Sequence, residues 1–155
     1  MAFSLLLLGT VVSRADVTAE VLDDRVRVEI DGELFTEYVF SGCENPYLYP
    51  VIGPHGIGMT RNYPMREMAG EAHDHPHHTS VWFGHDGLNG VDFWRTANPV
   101  HGRVEQERIV STSSGDRATL QTTNRWRGPD GMTICSDRRT LVFQGRRSVG
   151  RSTGA

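Results

Sequence analysis

Histidine is concentrated in one short stretch of this sequence. Five of the seven histidines lie within thirteen positions, at His73, His75, His77, His78 and His85. Imidazoles with a pKa near neutrality move protons to and from hydroxyl and carbonyl oxygens, and they also bind metal ions. Three interpretations are therefore open: proton transfer on a sugar or carbonyl compound, a transition-metal site, or a surface loop without a chemical role.

Proton transfer is the first hypothesis, because no strong metal-binding spacing such as HExxH is present. It makes His75, His77, His78 and His85 the candidate catalytic residues and requires no cofactor. The alternative is a transition metal ion bound by the same cluster, residues 75–85, with imidazole and carboxylate ligands. The carboxylates close enough in sequence to orient the imidazoles are Asp74, Asp86 and Asp92.

Aromatic and polar residues near the histidines are candidates for binding a small-molecule or carbohydrate substrate. An indole face can stack on the apolar face of a sugar ring, although most tryptophans of this kind belong to a core. The candidate substrate-binding residues are Arg61, Tyr63, Trp82, Asn89, Asp92 and Trp94.

The histidine stretch is predicted to be extended. Proline disfavours the helical region for the residue before it, so Pro76 favours an extended conformation at His75. Side chains alternate along an extended chain, which predicts that His73, His75 and His77 share one face and that His78 points away.

Alternating apolar residues predict that most of the chain forms β-strands. A hairpin is expected around the turn Asp31-Gly32, and a three-stranded meander follows later in the chain. The predicted strand pairs are 26–30 with 34–40 and 79–83 with 91–94, and the meander strands are 103–112, 117–126 and 132–143. Residues 45–72 carry four prolines and are predicted to be irregular, with one helical turn at 65–68. The fold class is therefore an all-β antiparallel sandwich.

The chain divides into three parts. Residues 1–15 contain an apolar run followed by Ser13-Arg14-Ala15, which predicts a signal peptide and a secreted or periplasmic protein. Residues 16–143 are the predicted β domain, and residues 144–155 are a predicted disordered or frameshifted tail. After residue 15 no apolar stretch is long enough to span a membrane.

Composition narrows the range of partners. The net charge is -3, and the charged residues are spread along the chain, which argues against a nucleic-acid partner. Cys43 and Cys135 could pair in an oxidising compartment or remain separate thiols, and their spacing does not decide between the two.

Several motifs together resemble the PmoA-like family of exported bacterial proteins, whose members often carry the label "methane oxygenase PmoA". The resemblance covers most of residues 17–143. The motifs are PYLYPV at 46–51, GPHG at 53–56, MTR at 59–61, YPMR at 63–66, HPHH at 75–78, SVWFGH at 80–85 and NGVDFW at 89–94.

This resemblance implies a large antiparallel sandwich, similar to the galactose-mutarotase-like supersandwich of aldose epimerases. It implies an exported carbohydrate-active or carbohydrate-binding protein; the alternatives are a metal-dependent oxygenase-type protein and a non-catalytic β module. Methane oxygenation is disfavoured, since the membrane subunit of that name spans the bilayer. Because PmoA-like proteins are longer and the pattern ends near residue 143, we expect a sandwich incomplete at its C-terminus that self-associates.

Overall fold

Eight β-strands form nearly all the regular structure in the computed structural model, which describes residues 14–95 and 100–145. The first sheet contains β1 (Val17–Val21), β2 (Arg25–Ile30), β3 (Glu33–Val39), β4 (Tyr47–Val51) and β5 (Val81–Trp82). A single 3₁₀ turn, Pro54–Gly56, follows β4. The second sheet contains β6 (Arg103–Ser113), β7 (Ala118–Arg127) and β8 (Thr133–Phe143).

Both sheets are antiparallel, with neighbouring strands in chain order. The first runs β1-β2-β3-β4-β5 and the second β6-β7-β8. The predicted all-β antiparallel sandwich is therefore confirmed. The predicted hairpin is also correct, since Asp31 and Gly32 both have positive φ, 53° and 81°, as a two-residue type I′ turn requires.

The core lies where the two sheets face each other. Val26 and Val28 of β2 and Leu120 of β7 have no exposed surface, and Phe143 packs its ring edge against Phe35 at 6.3 Å between centroids. A sandwich incomplete at its C-terminus would leave the inner faces of Val26, Val28, Leu120 and Leu141 partly uncovered. This expectation is wrong for the first three, while Leu141 is half-buried. Burial at these positions holds the two sheets together through the hydrophobic effect.

Strand β4 corrects the prediction of an irregular segment over 45–72. Proline lacks the N–H that a sheet ladder needs, which made Pro50 an argument against a strand. The sheet accommodates it with a bulge: β3 and β4 pair at Thr36–Val51 and at Tyr38–Leu48, with a register shift between these pairs. Pro50 falls in the shifted part, where a regular ladder bond is not required.

The predicted helical turn at 65–68 is not a helix. The backbone N–H of Arg66 donates to the carbonyl of Asn62 at 2.9 Å, which closes an isolated turn. Within the described ranges, no helix has the length and apolarity needed to cross a membrane.

The predicted signal peptide lies largely outside the described residues, since the description starts at Arg14. Arg14 forms an ion pair with Asp116, and Ala15 is buried in the core. Gly145 passes close to Ala15, because a Cβ on this glycine would lie 2.6 Å from the Cβ of Ala15. The rest of the predicted tail, residues 146–155, is also outside the described part.

Candidate functional site

The histidine stretch is held in place by one arginine. The guanidinium of Arg61 donates to the Asp74 carboxylate at 2.8 Å and to the backbone carbonyls of Asp74 and His75, both at 2.7 Å. The hydrogen bond from Arg61 to the Asp74 carboxylate holds the pKa of Asp74 below its ordinary value. Arg61, predicted to bind substrate, therefore also positions the segment 73–80, called here the histidine loop.

The histidine loop turns instead of being extended, which corrects the sequence prediction. His75 has a φ of 45°, and the N–H of His78 donates to the carbonyl of His75 at 2.9 Å. Consecutive carbonyls of an extended chain point in opposite directions, so Arg61 can bind two of them only if the chain bends. This bend overrides the influence of Pro76 on its neighbour.

Three imidazoles converge as a result. One ring nitrogen from each of His75, His77 and His78 lies within 4.8 Å of the others. The ring centroids of His77 and His78 are 4.4 Å apart, and those of His75 and His78 are 4.9 Å apart. His78, expected to point away, is part of the cluster, and His73, expected to share its face, is not among its members. We call His75, His77 and His78 the histidine triad.

The triad is accessible, and the surroundings of His77 favour its neutral form. His75 is exposed, and His77 and His78 are half-buried. Burial lowers the pKa of His77, and the neighbouring His78 and His75 lower it further. Neutral imidazole is the form that binds metal ions.

A pair of tryptophans lies beside the triad. The rings of Trp82 and Trp94 are 4.6 Å apart between centroids, and Trp94 meets His78 edge-on at 6.1 Å. Trp94 is 40% exposed, so part of its indole is free to contact a ligand. Asp92, a predicted substrate-binding residue, caps the turn by accepting from the N–H groups of Trp94 and Arg95, at 2.7 and 3.1 Å.

A second set of contacts fixes the segment that carries Arg61, and sequence reasoning missed it. Tyr49 on β4 donates to the side chain of Asn62 at 2.7 Å, and the Glu71 carboxylate accepts from Asn62 and from the N–H of Tyr63. These bonds keep the pKa of Glu71 below its ordinary value. A lone glutamate in a proline-rich segment gives no sequence signal for such a role.

Three other predicted site residues are not members of the triad. Tyr63 stacks on His73 at 4.6 Å, and His73 lies 3.0 Å from Glu67. Asn89 is an exposed turn residue with a φ of 50°. His85 is exposed and is not among the three converging histidines.

The predicted hairpin of 79–83 with 91–94 is wrong. Strand β5 pairs with β4 instead, at Tyr47–Trp82 and Leu48–Val81. One link of the expected kind remains, because the N–H of Phe93 donates to the carbonyl of His85 at 3.0 Å.

A pocket of about 220 Å³ opens beside the triad. His77 belongs to its wall, opposite the chain segment that leads into β4. The residues that line it are Gly42, Cys43, Glu44, Asn45, Tyr47, Pro64, Met65, Pro76, His77 and Thr79.

Both cysteines are free thiols. Burial raises the pKa of Cys43 to about 11, so this thiol stays protonated at neutral pH and is a poor nucleophile even though it borders the pocket. Cys135 on β8 also has a raised pKa because of burial.

Comparison with known proteins identifies the family without a function. No curated protein and no solved structure matches the chain. A family model described as a family of unknown function (DUF6807) matches residues 25–153. This match includes the strands of both sheets from β2 onward together with the histidine loop, and the chain belongs to this family.

Proposed function

We propose that this protein is a metal-dependent enzyme in which His75, His77 and His78 bind a divalent transition metal ion. The convergence of one nitrogen from each ring within 4.8 Å is the observation that carries this proposal. Imidazole ligands suit zinc, copper, iron and nickel and do not suit magnesium or calcium. The metal hypothesis thereby moves ahead of metal-free proton transfer.

The distances fit a site that closes around the ion. A tetrahedral ion at about 2.0–2.1 Å from each nitrogen places those nitrogens about 3.3 Å apart. The three ring nitrogens are at most 4.8 Å apart, so side-chain rotations that move each nitrogen by about 1 Å bring them to this spacing. The triad lies on a turn without regular hydrogen-bonded structure, so such rotations disturb no strand.

Three protein ligands leave a coordination position open, as in catalytic zinc sites. His75 is exposed, so this position is accessible to water and to a substrate. A bound divalent ion lowers the pKa of water towards neutrality and polarises carbonyl oxygens, which supports hydrolytic or lyase-type chemistry at this centre.

The carboxylates support the metal hypothesis over metal-free acid–base catalysis. Asp92 is occupied by two backbone N–H groups, and Asp74 is occupied by Arg61. The separation between Asp74 and the His75 imidazole is 3.6 Å, longer than a hydrogen bond. A catalytic histidine usually needs a closer orienting carboxylate.

The second candidate function is metal-free carbohydrate binding. It is favoured by the Trp82–Trp94 pair, since an exposed indole beside polar groups is suited to stack on a sugar ring. The resemblance of residues 46–94 to PmoA-like proteins supports a carbohydrate-directed role for an exported protein. For this reason we also propose that the protein acts outside the cytoplasm.

Metal titration of purified protein tests the proposal. The protein is prepared without a polyhistidine tag, stripped with a chelator and titrated with Zn²⁺ in a calorimeter. We expect one ion per chain, with affinity reduced by at least about 100-fold in His77→Ala and His78→Ala, because changes outside the ligand set alone cost 10–100-fold.

The matched control is His55→Asn. His55 is an exposed histidine outside the triad with a φ of 62°, a conformation that asparagine tolerates. Zinc affinity should be unchanged in this variant. Equal affinity in the triad variants and the wild type, with melting temperatures unchanged, would refute the metal site.

A further inference from the structure

We infer that the pocket beside His77 is the substrate site of the proposed metal centre and that it binds one ring-sized polyhydroxylated molecule, a monosaccharide. This inference rests on the proposed function and adds the substrate class. It starts from the position of His77, which belongs both to the triad and to the pocket wall. A molecule in the pocket is therefore adjacent to the ion that the triad would hold.

The size of the pocket limits its occupant. A dry cavity of about 150 Å³ holds one benzene molecule. The present pocket, at about 220 Å³, is larger by about half, which suits one six-membered ring with its hydroxyl groups. A second ring of an oligosaccharide has to remain outside.

The lining chemistry favours hydroxyl groups. Glu44 offers a carboxylate, Thr79 a hydroxyl and Tyr47 a phenol, while Pro64 and Pro76 offer apolar surface for the C–H face of a ring. Carboxylates are the strong hydrogen-bond acceptors for sugar hydroxyls, because a bond to a charged group is about twice as strong as a neutral one. This mixture of polar groups and apolar ring surface is typical of a carbohydrate site.

One carboxylate is available to a sugar in this pocket. Glu44 is the only carboxylate in the described lining, where neither arginine nor lysine accompanies it. Its carboxylate lies 3.4 Å from the His101 imidazole. Glu44 is therefore the residue whose removal tests the binding of hydroxyl groups in the pocket.

Binding measurements on the zinc-loaded full chain test the inference. The probes are the common neutral hexoses and pentoses, observed by saturation-transfer NMR and calorimetry. We expect at least one of these monosaccharides to bind. Glu44→Ala should weaken the neutral sugar by about tenfold or more, the loss expected for one charge-assisted hydrogen bond.

The control is Glu20→Ala, which removes an exposed carboxylate on β1 and should leave sugar binding unchanged. Zinc content is measured on every sample, so that the two proposals fail separately. If zinc binds but no neutral monosaccharide does, or if Glu44→Ala binds sugar like the wild type, the pocket assignment is overturned while the metal centre stands. If no zinc binds, the proposed function itself is overturned.

Discussion

Replacing Arg61 with alanine should weaken metal binding although Arg61 is not a ligand. Its guanidinium makes three hydrogen bonds to the histidine loop, one to the Asp74 carboxylate and two to the carbonyls of Asp74 and His75. Without these bonds the bent backbone at His75 loses its connection to Arg61 and keeps the turn bond from the N–H of His78. The loop then samples conformations in which the three imidazoles are apart.

The expected magnitude follows from these bonds. The Asp74 carboxylate in the ion pair with Arg61 is 59% exposed, so solvent screening makes the contribution of this pair small. The two bonds to backbone carbonyls contribute about 1 kcal/mol each. The sum of these two bonds, about 2 kcal/mol, corresponds to a roughly 30-fold loss in zinc affinity.

Calorimetric titration with Zn²⁺ and a thermal melt of the same sample provide the assay. We expect the Arg61→Ala melting temperature to change little in the metal-free protein, because the sheets pack without this side chain. Arg66→Ala is the matched control, since Arg66 is an exposed arginine of the same segment that makes no side-chain hydrogen bond to the described histidine loop. Zinc affinity in Arg61→Ala equal to that in Arg66→Ala would refute the idea that the loop is held ready by Arg61.

Three further predictions concern the frame around the site. Burial alone would raise the pKa of Asp137, but hydrogen bonds from Arg139, Asn124 and Trp126 outweigh this and hold the pKa below its ordinary value. The stability that this carboxylate contributes is therefore present above pH 4 to 5 and is lost as the pH falls through the lowered pKa. Asp137→Asn should make the free energy of unfolding depend less on pH in the acid range. An acid-unfolding profile of Asp137→Asn equal to that of the control Asp23→Asn would contradict this. Gly84→Ala would place a Cβ 2.1 Å from the Trp82 ring. We therefore expect the free energy of unfolding, measured with denaturant, to fall by about 1–3 kcal/mol and the tryptophan fluorescence to change. Wild-type values of both would exclude this packing constraint. Exported protein should begin at or near Asp16, which N-terminal sequencing measures; recovery of only the intact Met1 form would oppose export.

Short sequence patterns predicted the first hairpin and the three meander strands correctly. The Asp31-Gly32 turn identified its hairpin, because both residues readily adopt the positive φ of a type I′ turn. The meander strands came out within two residues of their observed ends, since the turns Ser113–Asp116 and Gly128–Gly131 separate them. In these segments the same residues determine the conformation and the buried face.

Partner choice between distant segments could not be predicted in the same way. Val81 and Trp82 have the composition of a strand, and sequence proximity favoured pairing with 91–94. They pair instead with Leu48 and Tyr47, across a long intervening segment. The proline in β4 concealed that partner, because the bulge that accommodates it depends on the register of β3.

The sequence predicted the residues of the histidine cluster but not the backbone conformation that brings them together. His75, His77 and His78 were proposed together with His85, but an extended backbone placed His78 on the wrong face. The positive φ of His75 is imposed by Arg61 from outside the loop, and no residue inside residues 73–80 signals it. Tertiary hydrogen bonds to the backbone thus decided which imidazoles meet.

The histidine loop is attached at both ends, which fixes its position and still allows its three imidazoles to rotate. At its beginning, Arg61 holds the carbonyls of Asp74 and His75; at its end, the Ser80 hydroxyl donates to Thr60 at 2.8 Å before the chain enters β5. Between these anchors the backbone is closed by the short-range bonds of a turn, from the N–H of His78 to His75 and from that of Thr79 to His77. The anchored ends limit the conformational entropy that is lost when an ion binds. The backbone between them is not paired with a strand, so the imidazoles can rotate and move their nitrogens by about 1 Å. A metal ion bound there would join three positions of one turn, so its main structural effect should be to order the histidine loop and leave the sheets unchanged.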